Sequence, residues 1–200
     1  MSLIVHATPA LCNRRLVATW YGADFVDELP LTELGLTVGP GRTHRHFTGT
    51  PEFAFGTGLS FSEWELNWSQ KQVDNPAVRW STSQDPNAIG ATLELAIANV
   101  GGMPTGRRTV MVFVRPTDGN HPKLLQKLIE YGGLANVARW EQASLHFSLK
   151  PADLALADDA GNMVLYPGSY EIVVRDGSSE LVRTLTLKGD LRVLQRFPGQ

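Results

Sequence analysis

The sequence predicts an all-β protein: an antiparallel β-sandwich preceded by an extended, turn-rich segment. Two observations carry this. From residue 59 onward apolar residues recur with period two, in runs separated by turn formers. Before that point periodicity is weak and turn formers crowd the chain: Pro9, Gly22, Pro30, Gly35, Gly39, Pro40, Gly41, Gly49 and Pro51. So much structureless chain is uncommon in a compact domain, so residues 1–58 are expected to lie against a surface.

In chain order, "RLVATWY" (15–21) is the one strand-like run of the first part. "FSEWELNW" (61–68) sets Trp64, Leu66 and Trp68 on one face and Glu63, Glu65 and Asn67 on the other. "ATLELAIANV" (91–100) aligns Leu93, Leu95 and Ile97. "TVMVFVRP" (109–116) is nearly continuous apolar, as in a central strand covered on both faces. "PKLLQKLIEYGGL" (122–134) has helical spacing and reads either as a short helix or as a strand with an edge loop. "ASLHFSLK" (143–150), "SYEIVVRD" (169–176) and "LVRTLTLKG" (181–189) are strands. "PTDGNHP" (116–122) and "DDAGN" (158–162) carry turn chemistry. "YPGSY" (166–170) places Tyr170 where immunoglobulin-like sandwiches hydrogen-bond a tyrosine back across a corner.

The 200 residues suffice for one domain, or one domain with a partial second, and 42% apolar with 19% charged residues is a globular composition. A net charge of −2 with scattered Lys and Arg gives no footprint for nucleic acid or an anionic membrane. The single cysteine, Cys12, closes no intramolecular disulfide and reads as a small buried hydrophobe. No run reaches the roughly 18 apolar residues of a membrane span, and "MSLIVHATPAL" lacks the basic start of a secretory signal. Either the chain stays inside or it is a piece of something longer.

Candidate chemistry is sparse. "GTGLS" (56–60) and "GGMPTGRR" (101–108) lack the lysine and the following helix of a phosphate loop, and read as turns. His44 and His46 have a zinc-like spacing but no third ligand, so "RTHRHF" (42–47) reads as a polar strand or loop whose basic side chains meet a partner. Glu63 and Glu65 stand roughly 6.5–7 Å apart along a strand, near a glycosidase acid pair's separation. Adjacent on one alternating face, they read as solvent-facing. No nucleophile motif is present. Trp64 and Trp68 share the Leu66 face and belong to the core, which leaves Trp80 and Trp140 as candidates to stack on a sugar.

The particular residues say more. "RLVATWYGADFVDELPLTEL" (15–34) and "GRTHRHFTGTPEFAFGTGLSF" (41–61) resemble the end of the second domain and the connector of family 3 glycoside hydrolases, the β-xylosidase/β-glucosidase-like enzymes. The connector motif is carried by Phe55, Gly56, Gly58, Leu59 and Ser60. "LELAIANVGGMPTGRRTVMVFVRP" (93–116) and "LKPADLALADDAGNMVLYPGSYEIVV" (149–174) are similar to that family's fibronectin type III-like domain, through Asp153, Leu154, Gly161, Pro167, Gly168 and Tyr170. The resemblance runs over residues 12–190, with Ala54 and Thr57 as departures from the family pattern.

It implies residues 1–58 as an α/β-domain remnant plus connector, 59–190 as an immunoglobulin/fibronectin type III-like sandwich, and 191–200 as a tail. It also implies a parent that is a retaining exo-glycosidase whose catalytic carboxylates lie in domains this chain lacks. The chain alone is then expected to be inactive and structural, with no catalytic, cofactor-binding or metal-binding residue. The expected partners are the parent's catalytic domains. Carbohydrate and self-association are further candidates, whereas nucleic acid and membrane are not expected. The alternative is a stand-alone module binding polysaccharide or protein. Localisation stays open, because such enzymes are often secreted, vacuolar or periplasmic.

Overall fold

A computed structural model describes residues 16–30, 32–70, 77–119, 121–177 and 179–198. Two four-residue helices, α1 (Phe25–Glu28) and α2 (Thr43–His46), precede the strands. These are β1 (Ser62–Trp68), β2 (Ala77–Ser81), β3 (Ala91–Gly102), β4 (Thr105–Pro116), β5 (Lys127–Ala138) and β6 (Gln142–Leu149). After a 3₁₀ turn at Pro151–Leu154 come β7 (Leu156–Ala157), β8 (Met163–Leu165), β9 (Gly168–Arg175), β10 (Glu180–Lys188) and β11 (Arg192–Gln195). One sheet has the order β1-β3-β6, the second β2-β10-β9-β4-β5, and a small third β11-β8-β7. The all-β sandwich read from the sequence is borne out.

Period-two alternation builds the core directly. Leu66, Leu93, Leu95, Ile97, Phe147 and Leu149 face inward from the first sheet. They meet Val110, Val112, Val114, Ile172, Val174 and Leu185 from the second. Glu63 and Glu65 are exposed on the opposite face of β1, as their alternation requires. Tyr170 is buried, and its hydroxyl donates to the Tyr166 carbonyl at 2.6 Å, which closes the expected corner. Burial pushes that phenol well above its usual range. At the "DDAGN" turn Asp158 accepts from the side chain and backbone of Asn162, which holds its carboxyl below the usual range.

The continuous apolar run in β4 has a specific cause. Val110, Val112 and Val114 face the core, while Met111 and Phe113 face outward with Val173 and pack under Phe55. The outer face of this sheet is therefore covered around Met111, Phe113 and Val173 by the N-terminal segment rather than by water.

Four expectations are corrected or resolved. Within residues 16–21 there is no strand: two backbone bonds join Leu16 to Gly56 and Thr57, and an isolated bridge joins Trp20 to Phe53. A ladder there is broken because Gly56 turns the partner chain at φ +86°. "RTHRHF" contains the short helix α2 rather than a strand or loop. The 122–134 ambiguity resolves as β5, paired antiparallel with β4. Gly133 fits there because a Cβ would lie 2.8 Å from the Arg108 carbonyl. One pairing, β2 with β10, is parallel. Side-chain alternation carries no information about strand direction, so sequence reading had no means to find it.

Candidate functional site: the seam under the N-terminal segment

The N-terminal segment has a small core of its own. The Tyr21 and Phe25 rings stack at 3.9 Å, Phe47 meets both edge-on, and Leu29 is buried alongside. Arg42 lies over Phe25 and donates to the carbonyls of Pro30 and Glu33. Thr43 opens α2 at φ +63°, an uncommon conformation for a β-branched residue, with its amide donating to the Tyr21 hydroxyl at 2.7 Å.

This unit is fastened to the sandwich along one seam. Phe55 sits edge-on to Phe113, with ring centroids 6.2 Å apart, and stacks on His44 at 4.2 Å. Gly56 fits under it because a Cβ would lie 2.3 Å from the Met111 methyl. The Leu125 amide donates to the Arg45 carbonyl, His46 Nδ1 bonds the Lys123 carbonyl, and Lys123 Nζ donates to the Thr37 carbonyl.

Three clefts lie in or beside the seam. One of about 420 Å³ is bounded by Val17, Thr19, Tyr21, Arg45 and Phe55. A second of about 260 Å³ is bounded by Thr19, His44, Phe55, Arg115, Gln126 and Arg175. The third, of about 270 Å³, lies between His46, Asp118, His121 and Lys123. Among the described residues the first two are lined by cations, hydroxyls and aromatic rings and by no carboxylate.

Arg115 is paired with Glu171 at 3.1 Å, and Arg175 with Glu180. Burial, then the charge of Arg45, holds His44 below its ordinary value. Burial dominates at His46 as well. Lys127 is lowered by burial and then by Arg45, while its ammonium donates to the carbonyls of Asp153 and Ala155. His121 is lowered by burial, which the neighbouring Asp118, 2.8 Å away, partly offsets. Such a surface can bind a complementary face or an anion. Its paired carboxylates are tied to arginines rather than opposed across a cleft.

The residues singled out from sequence are spread through the molecule. Phe55 and Gly56 lie in the seam. Gly58 follows them, Leu59 is 86% exposed, and Ser60 Oγ accepts from Trp64 Nε1 at 3.1 Å. Asp153 accepts from the Lys150 amide and caps the 3₁₀ turn, with its carboxyl raised by burial. Leu154 is in the core. Gly161 takes φ +81° in its turn. Pro167 and Gly168 lead into β9, where Gly168 lies against Asp118 and His121.

Trp80 is 5% exposed and packs in the core against Gly90, so it offers no stacking face. An indole alternating with polar neighbours on a short strand gives no sequence sign of which sheet will cover it. Trp140 is 75% exposed, with φ +72°. His44 and His46 gather no third His, Cys, Asp or Glu among the described residues. Sequence reading missed Thr19, Lys127 and the Asp118–His121 pair. The last of these had a signal in the polar "TDGNH" turn placed before "YPGSY".

A bilayer of β-sheets with a separately cored segment laid on its outer face defines the class: an all-β sandwich carrying a docked N-terminal segment. No family model matches the chain. It is 29% identical over 189 residues to an exo-1,4-β-xylosidase of Emericella nidulans, covering 92% of this chain and 25% of that enzyme. It is also 29% identical over 203 residues to an exo-1,4-β-xylosidase of Aspergillus oryzae, covering 93% of this chain and 25% of that enzyme. A solved GH3 exo-β-xylosidase in complex with a xylobiose aziridine probe superposes with TM-score 0.79 at 25% identity, over 92% of this chain and 25% of that one. The fold is shared with a β-glucosidase from Listeria innocua, with TM-score 0.56 at 17% identity. The chain spans about a quarter of the length of the relatives it matches. Its resemblance to the C-terminal region of family 3 glycoside hydrolases is borne out by these relatives.

Proposed function

We propose that the chain is the non-catalytic C-terminal portion of a family 3, β-xylosidase-like glycosidase, and that it steadies the catalytic domains. Residues 1–58 then hold the end of an α/β domain and the inter-domain connector, 59–190 a fibronectin type III-like sandwich, and 191–200 a tail. The observation that supports this most is the outward side of the N-terminal segment. On this segment Val17, Trp20, Val26, Leu34, Leu36 and Phe53 all remain exposed, although Phe55 fastens it to the sandwich. A segment apolar on both sides connects two bodies. Phe55 and Gly56 act as anchor and turn; Gly58, Leu59 and Ser60 lead into β1. Asp153, Leu154, Gly161, Pro167, Gly168 and Tyr170 set the geometry of the far loops. The purified chain is expected to release no aryl alcohol from an aryl xyloside or glucoside. Turnover above background that a carboxylate substitution in this chain abolishes sinks the reading.

A second reading, a carbohydrate-binding module, is favoured by one observation. Trp140 combines 75% exposure with a left-handed backbone, held by its amide donating to the Asn99 carbonyl at 2.6 Å. Strain kept at an exposed aromatic is a recurrent mark of a contact site. Titration with xylo-oligosaccharides is expected to change tryptophan fluorescence in the wild type and not in Trp140→Gly, which relieves the backbone. An unchanged signal in the wild type refutes it.

A further inference from the structure

We propose that the cleft bounded by Arg45 and Thr19 is a carboxylate-binding site. On the reading above, its occupant is an aspartate or glutamate side chain of the catalytic portion seated on the N-terminal segment.

Arg108, Arg115 and Arg175 each have a carboxylate partner. Arg45 has none among the described residues, although it is half-buried and its Nε is shut off from solvent without a hydrogen-bond acceptor. Cations stand beside it: His44, His46 and Lys127 have their protonated forms disfavoured by burial first and by Arg45 in addition. A desolvated guanidinium among cations is costly without an anion, and buried polar atoms without partners are uncommon in folded proteins.

A second group points the same way. Thr19 Oγ1 is buried, has no hydrogen-bond partner among the described residues, and lines the same 420 Å³ cleft. The turn that presents Arg45 is held in an unfavourable conformation at Thr43, with the Arg45 amide donating to the Thr43 hydroxyl at 3.2 Å. One guanidinium and one hydroxyl, beside histidines whose protonated forms are disfavoured, suit a single planar monoanion, which a guanidinium grips in two-pronged fashion. The cleft mouth is apolar: Val17 is 81% exposed beside it. That rim suits the methylene stem of an acidic side chain arriving with an apolar surface.

The test uses the 200-residue chain alone, with sodium acetate replacing chloride at constant ionic strength and pH 7.5. Acetate at about ten times its dissociation constant is expected to slow proteolytic cleavage within residues 16–58 of the wild type by about tenfold. In Arg45→Gln the starting cleavage is expected to be slower and the acetate response gone; in Thr19→Val the response is expected to fall by about half. No acetate response in the wild type, or an equal one in both variants, overturns the site. Glucuronate serves as the second probe. A response matching acetate supports a side-chain carboxylate, and one tenfold more sensitive overturns that source in favour of an acidic sugar. Loss of the acetate effect leaves the accessory role standing, whereas xyloside cleavage by the chain sinks that role and leaves the acetate effect intact.

Discussion

Replacing Phe55 by alanine tests whether the N-terminal segment is a separately docked unit. Phe55 is half-buried, packs on the Met111, Phe113 and Val173 cluster, and stacks on His44. Fully buried Phe→Ala changes cost about 3–5 kcal/mol. Half burial scales this to about 2 kcal/mol, including the edge-to-face contact with Phe113. The loss falls on the seam, because the main core between the two sheets does not include Phe55. A change of about 2 kcal/mol raises the undocked population on the order of 30-fold. Limited proteolysis read by mass spectrometry is the assay. Cleavage within residues 16–58 is expected to accelerate by about that factor, with the sandwich left intact and its Tm nearly unchanged. Unchanged cleavage, or one cooperative Tm loss of the full size, refutes the idea of a unit docked through this ring.

Three further outcomes are expected. Tyr170→Phe leaves the Tyr166 carbonyl without its donor and is expected to cost about 1–2 kcal/mol in urea unfolding; a loss under 0.5 kcal/mol removes the corner's importance. Arg108 and Asp176, 2.7 Å apart and 4% and 0% exposed, form a buried pair joining β4 to the end of β9. Asp176→Ala deprives the buried guanidinium of its counter-charge and is expected to cost about 3–5 kcal/mol, while an Arg108→Met/Asp176→Leu double variant recovers most of it. Acidification is expected to destabilise the fold. His44, His46 and His121 are all held below 6.5 by burial, so just below pH 6.5 the unfolded chain binds more protons than the folded one. Their contribution is fully present above about pH 6.5 and is lost as pH falls toward the folded values. Tm should therefore drop between pH 7 and 5, and His121→Gln should shrink the drop; a profile identical to wild type excludes His121 from it.

The alternating strands show what was legible in the sequence. Leu93, Leu95 and Ile97, or Tyr170, Ile172 and Val174, had to share a face, because side chains on an extended chain alternate. The corner at Tyr170 and the Asp158 turn are likewise local: their hydrogen bonds span four residues. Phe55 and Gly56 were picked out by resemblance alone, since their contacts with Phe113 and Met111 lie far along the chain.

What the chain alone did not decide involves partners distant in sequence. The fate of 122–134 turned on an edge left open by β4, not on its own apolar spacing. Trp80 and Trp140 look alike as letters; one is buried in the core on a strand paired parallel with β10, and the other stands exposed in the turn that carries the chain from β5 in one sheet to β6 in the other. Arg45 reads as one basic residue among several in "RTHRHF". Only the docking of α2 against the sandwich buries it beside Lys127, 82 positions onward in the chain, and leaves its charge unanswered. Periodicity and turn chemistry are properties of neighbours along the chain, so the sequence determined the alternating strands β1, β3, β6 and β9 and their inward faces. Burial of charge is a property of neighbours in space, so the tertiary structure alone decided where this protein has something left to bind.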